Sequence, residues 1–197
     1  MDRRKFLHTA AGVAVAAGVL PIVRGGAVCA QSASNQVEEE NKEISMKKII
    51  IAADPFAVDL KDSVVKDLAS KGYEIVDVGA TKENAIPYYE GCVAACKLLQ
   101  QDKTARGILF CGTGMGMSIV ANRFDGIHAS VVESVFAAKM CRAINNANVL
   151  CLGAMIWGDW MAKEAINVFL NTKFTEGLDG LEDFLKDAYK KVDAIQG

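Results

Sequence analysis

Histidine is nearly missing from this sequence: two of the 197 residues, His8 and His128, carry an imidazole. That scarcity argues against a metal centre built on histidine. Cys92 and Cys96 stand four apart on one helical face with no histidine near them. They read as packing thiols, as do Cys141 and Cys151, because free cysteine is among the most buried residue types. Aromatic residues make up only 7% of the chain, with two tryptophans, which does not suggest a nucleic-acid surface. Positive charge is not in excess either, since the formal net charge is −2. A long apolar run is also lacking: residues 9–23 are uncharged but short and rich in Ala and Gly, which disfavours a stable membrane span.

What the first thirty residues do contain is a targeting pattern. Arg3, Arg4 and Lys5 precede the moderately apolar run, and Val28-Cys29-Ala30 offers a small-residue cleavage point before Gln31. This has the form of a twin-arginine export signal, so the expected partner of the precursor is the twin-arginine export machinery and the expected destination the periplasm. A lipid anchor at Cys29 is disfavoured by the Val28 before it. Residues 31–45 are polar and acidic and read as a disordered linker. The folded domain is expected over residues 46–197. Residues 1–30 carry a net +3, so the remainder is near −5, with nothing basic to favour nucleic acid or anionic lipid.

From Met46 onward, apolar runs of strand length alternate with helical spacings. Strands are expected over residues 48–53, 73–78, 108–111, 127–132 and 149–152, and helices over 57–71, 88–101, 134–144, 160–170 and 181–195. Strands alternating with helices at this pitch imply an α/β fold: a three-layer Rossmann-like arrangement with a five-stranded parallel sheet flanked by helices.

The chemistry is concentrated after the third strand. Cys111-Gly112-Thr113-Gly114-Met115-Gly116-Met117-Ser118 places three glycines at alternate positions between a strand end and a helix start. Glycines let backbone N–H groups approach a ligand closely, and a helix N-terminus adds partial positive charge, so phosphates, oxyanions or an enediolate suit the loop. Tight-turn packing accounts for the glycines alone equally well. A thiol at the C-terminal end of a parallel strand, beside such donors, is placed to act as a base or nucleophile.

Cys-Gly-Thr-Gly-Met-Gly-Met-Ser-Ile-Val-Ala-Asn, ending at Asn122, resembles the signature of the ribose-5-phosphate isomerase B / galactose-6-phosphate isomerase family. The resemblance continues through Gly126-Ile127, Asn145-Asn146-Ala147-Asn148-Val149-Leu150 and Leu152-Gly153-Ala154, and covers about residues 46–177. It implies an aldose–ketose isomerase with Cys111 as the base that moves a proton between C1 and C2 of an open-chain sugar. Thr113 is the second expected catalytic residue; Asp54, Gly112, Gly114, Met115, Gly116, Asn122, His128 and Asn145 are the expected substrate contacts. The loop would hold the enediolate charge. The resemblance implies no metal or redox cofactor and at least a homodimer, since family sites are completed by a neighbouring subunit.

Three features depart from the family pattern. Asp54 is followed by Pro55 where relatives usually carry histidine; Ile144 stands where the ring-opening histidine falls; and Asp179 to Asp183 is acidic where arginines tend to clamp phosphate. Together with the export pattern, these departures lead to an expected substrate that is a non-phosphorylated sugar, with ring opening left to His128 or Asp54 or unnecessary. A sugar-phosphate isomerase and a non-catalytic sugar-binding relative remain the two other readings.

Overall fold

In the computed structural model, residues 48–195 are described. Residues 1–47 and 196–197 lie outside them, and with them the expected export signal and linker.

Five parallel strands form one sheet in the order β2-β1-β3-β5-β4: β1 Lys48–Ala53, β2 Glu74–Asp77, β3 Arg106–Cys111, β4 Ala129–Val131 and β5 Val149–Gly153. The helices are α1 Val58–Ser70, α2 Tyr88–Gln101, α3 Met115–Ala121, α4 Val135–Asn145, α5 Asp159–Asn171 and α6 Glu182–Asp193. Both sheet faces are covered, which is why β1, β3 and β5 read as continuous apolar runs without alternation. Ile49, Ile51, Ile108, Phe110, Leu150 and Leu152 point to α1, α4 and α5. Ile50, Ala52, Leu109 and Cys151 point to α2 and α3. The expected three-layer α/β arrangement is therefore the observed one.

The two shorter strands differ from their expected spans for a physical reason. β2 and β4 are the sheet edges, each hydrogen-bonded on one side only. Residues 127 and 128, expected in β4, are held by other bonds: the Ile127 N–H donates to the Phe124 carbonyl and the His128 N–H to Asn148 Oδ1. The thiols of Cys92, Cys96, Cys141 and Cys151 are all buried, as expected of packing cysteines.

Strand order also decides where a ligand can enter. The chain leaves β1 for β2 on one side and returns to β3 on the other, so the connections diverge between the C-terminal ends of β1 and β3. Open α/β sheets form their ligand crevice at such a reversal.

Candidate active site

The reversal brings two chemically useful side chains together. Ala53 pairs with Phe110, so Asp54 and Cys111 are the next residues on adjacent strands. Asp54 stays on the ladder by donating its N–H to the Phe110 carbonyl at 3.1 Å. It then turns the chain: its Oδ1 accepts the Phe56 N–H at 3.0 Å, capping a 3-10 turn over Pro55–Ala57. Pro55 occupies the first position of that turn, where a missing N–H costs nothing.

Burial pushes the Asp54 carboxyl above its ordinary value, against the pull of N–H groups from Phe56, Ala57 and Gly112. A folded-state pKa raised above the unfolded one means that the native protein binds the proton more tightly. The associated stability is present below the ordinary carboxylate value and falls as pH rises through the raised one. Asp54→Asn should therefore raise the melting temperature at neutral pH, with the gain disappearing at pH 3. A thermal melt series would reveal the opposite sign if the three N–H contacts outweighed burial.

Cys111 closes β3, buried, and its Sγ accepts the Gly114 N–H at 3.1 Å. That contact directs the positive end of a peptide group at the sulfur. Gly114 has φ +80°, the left-handed region in which only glycine is free of strain, and it starts α3. The loop is pinned from the neighbouring strand as well: Ala154 N–H donates to the Cys111 carbonyl and Met155 N–H to the Gly112 carbonyl, both at 2.9 Å. Thr113 is exposed, with Oγ1 3.5 Å from the Met115 N–H at the first turn of α3.

Not every N–H of the loop is free for a ligand. Gly114 spends its N–H on the sulfur, and Gly112 directs its own at the Asp54 carboxylate. In the first turn of α3 the Met115 N–H reaches Thr113 Oγ1, and those of Gly116 and Met117, which have no intrahelical acceptor, remain to face an anion.

Asp54, Cys111, Gly112, Thr113, Gly114, Met115 and Gly116 thus form one constellation. Asn122, His128 and Asn145 stand at the other end of the sheet. Asn122 holds the entry of β4, donating from Nδ2 to the Ala129 carbonyl at 2.9 Å and accepting the Ala129 N–H at 2.8 Å. His128 Nε2 meets Asp193 Oδ1 at 3.1 Å on α6. Asn145 ends α4, just before β5 begins.

Two neighbours of the loop escaped the sequence reading. The Tyr88 ring covers Gly116 so closely that a Cβ there would lie 2.9 Å from it, and Met155 covers Gly112 at 3.3 Å from the equivalent point. The only sequence signal was indirect: glycines where bulky residues would otherwise fit.

A family model described as Ribose/Galactose Isomerase matches residues 49–181. The chain belongs to the ribose/galactose isomerase family. A 4-deoxy-4-sulfo-D-erythrose isomerase from Clostridium sp. (strain MSTE9) is 44% identical over 151 residues, 76% of this chain and 95% of that protein. A D-erythrulose-4-phosphate isomerase from Pectobacterium atrosepticum is 40% identical, over 67% of this chain and 88% of its own. The structure of a ribose 5-phosphate isomerase B from Thermotoga maritima superposes with a TM-score of 0.68 at 34% identity, over 75% of this chain and 98% of that one.

These relatives correct one expectation. Their names specify phosphorylated or sulfonated sugars, which overturns the non-phosphorylated substrate expected from Pro55, Ile144, the acidic stretch after Gly177 and the export pattern. Membership of this isomerase family supports enzymatic isomerisation of a small sugar, and among the described residues no helix is long and apolar enough to cross a membrane.

Proposed function

We propose that this protein interconverts the aldose and ketose forms of a four-carbon sugar whose terminal carbon carries an anion, either a phosphate ester or a sulfonate. The observation that carries the reading is the Cys111–Asp54 pair at the β1/β3 crevice, on a chain two of whose relatives, at 44% and 40% identity, are named for such tetroses.

Cys111 takes the proton from the carbon next to the carbonyl and returns it to the neighbouring carbon. The first-turn N–H groups of α3 face the negative oxygen that forms between these steps. Asp54, with its raised proton affinity, moves the proton between the two oxygens.

Substrate chemistry makes sense of Ile144. A tetrose forms a five-membered ring only through its C4 oxygen, and a C4 phosphate or sulfonate removes that nucleophile. The sugar is then always open-chain, so no ring-opening acid is required. A pentose 5-phosphate, by contrast, closes readily through O4, and only its minor open fraction would be competent, lowering its apparent affinity by that fraction. Initial rates with erythrulose 4-phosphate, 4-deoxy-4-sulfo-erythrulose and ribose 5-phosphate test this. At least one tetrose should exceed ribose 5-phosphate in kcat/KM by about tenfold or more. A preference for ribose 5-phosphate would overturn the tetrose assignment.

Assembly and location belong to the same proposal. Asn145 and Cys111 lie at opposite ends of the sheet, so Asn145 can serve a Cys111 site only across a homodimer or larger oligomer. The apolar side chains exposed near the catalytic edge, Phe56, Met155, Ile156 and Trp160, suit such contact. We further propose export by the twin-arginine route. Cell fractionation followed by light scattering reads both: a dimer recovered from the periplasm, starting near Gln31, is expected, and Arg3→Lys with Arg4→Lys should retain the precursor inside. A cytoplasmic monomer would remove both proposals.

A further inference from the structure

The sheet has a second opening, at the end opposite Cys111. A cavity of about 350 Å³ lies there, between the starts of β3 and β5, the end of α4 and the inner side of α6. Among the described residues its lining carries the cations Lys103, Arg106 and Arg142 and the carboxylate of Asp193, which meets His128 at 3.1 Å.

Arg106 is the informative residue. Its guanidinium is half-buried, and its sole hydrogen bond among the described residues is a marginal one, 3.4 Å to the carbonyl of Ala105. No carboxylate lies within ion-pair distance of Arg106 or Lys103 among those residues. Placing a guanidinium in a partly dry site without a counter-ion is unfavourable unless an anion completes it.

Neutral donors converge on the same space. Burial and the nearby Asp193 hold the Tyr189 phenol protonated, so it can donate. Arg142 is anchored, donating to Asn146 Oδ1 at 2.9 Å and to the Ala147 carbonyl, and stacks 5.8 Å over the Phe169 ring. With its oxygen so engaged, Asn146 offers its amide nitrogen. A planar fork, an ammonium and neutral donors around a space of this size match a tetrahedral oxyanion.

We propose that this cavity is a second oxyanion site, which takes a phosphate group, free or as a small monoester, and thereby fastens α6 to the sheet. α6 has need of it, because Leu185 is its only buried residue. The site is separate from the catalytic one within the chain: Arg106 begins β3 and Cys111 ends it, about 16 Å apart along the strand. Ile144 projects from the opposite side of α4 to Arg142. The proposal does not depend on the isomerase assignment.

Hydrogen exchange on the full chain, at constant ionic strength, tests it with inorganic phosphate and with glycerol phosphate as probes. In the wild type either probe should slow exchange over Glu182–Asp193; the one acting at lower concentration identifies the source. Lys103→Gln with Arg106→Gln should raise the half-saturating concentration for that protection by about tenfold or more. Any protection of residues 112–121 should stay unchanged. If the double variant does not fold, Lys103→Gln alone, at an exposed side chain, should give a smaller shift in the same direction. Absence of α6 protection in the wild type, equal protection by chloride, or unchanged protection in the variants would overturn the proposal. Joint loss of protection at α6 and at 112–121 would do so too, by showing a single shared site.

Discussion

Cys111→Ser is expected to reduce kcat by about a hundredfold or more while leaving the melting temperature close to that of the wild type. The change is almost isosteric, and a serine oxygen can still accept the Gly114 N–H that now points at the sulfur. What it removes is the sulfur, whose thiolate is the nucleophilic and basic form that a serine hydroxyl does not supply. Deuterium from solvent should enter the substrate beside the carbonyl with the wild-type protein and fail to do so with the variant. Cys141 supplies the control: burial pushes its thiol up to about 11, and it donates to the Ala138 carbonyl within the core. Cys141→Ser should leave turnover within about twofold of wild type, as expected for a group that touches no reacting atom. Wild-type turnover in Cys111→Ser would exclude it as the base and direct attention to Asp54.

Gly153→Ala should damage both stability and catalysis. Gly153 pairs with Cys111 at the end of β5, and a Cβ there would lie 2.6 Å from the Thr113 backbone. Neither partner is a flexible side chain, so the loop or the strand end must move. Overpacking of this kind costs about 1–3 kcal/mol, and loop displacement shifts the donors away from the developing charge. A loss in kcat of about tenfold or more is expected, because misplacement by 1 Å is enough to spoil a catalytic constellation. Gly158, whose Cβ would meet nothing within 4 Å, is the matched control and should tolerate alanine. Urea unfolding and initial rates for the two variants make the comparison. Full activity in Gly153→Ala would show that the loop geometry is not limiting.

Much of the fold was legible because it is local. Residues 49–53 and 149–152 are apolar without interruption, the pattern of strands covered on both sides, and β1 and β5 fall there. Helical spacing from residue 88 to 101 gave α2 to the residue. The edge strands were the weak point: Ile127 and His128 continue the run that leads into β4, but their N–H groups are claimed by a turn carbonyl and by Asn148.

The substrate was misjudged for a different reason. Pro55, Ile144 and the acidic residues 179–183 stand where the family pattern has a substrate-holding histidine, a ring-opening histidine and phosphate-clamping arginines, and together with the export pattern they pointed to a non-phosphorylated sugar. Pro55 instead serves a turn capped by Asp54. Ile144 is compatible with a sugar that cannot close a ring. Neither residue carries information about the charge at the far end of the ligand.

The sequence by itself determined the alternation of strands and helices, the burial of the thiols of Cys92, Cys96, Cys141 and Cys151, and the strand–loop–helix that presents Cys111. Each of these follows from side-chain periodicity and from glycine's access to positive φ over a few consecutive residues. Only the tertiary structure decided that Asp54 stands beside Cys111, that Gly153 and Met155 shape the loop, and that His128 joins Asp193 instead of the catalytic edge. It also gathered Lys103, Arg106 and Arg142 around one cavity. These juxtapositions depend on strand order, and strand order is set by contacts between segments far apart in the chain, which no local pattern records.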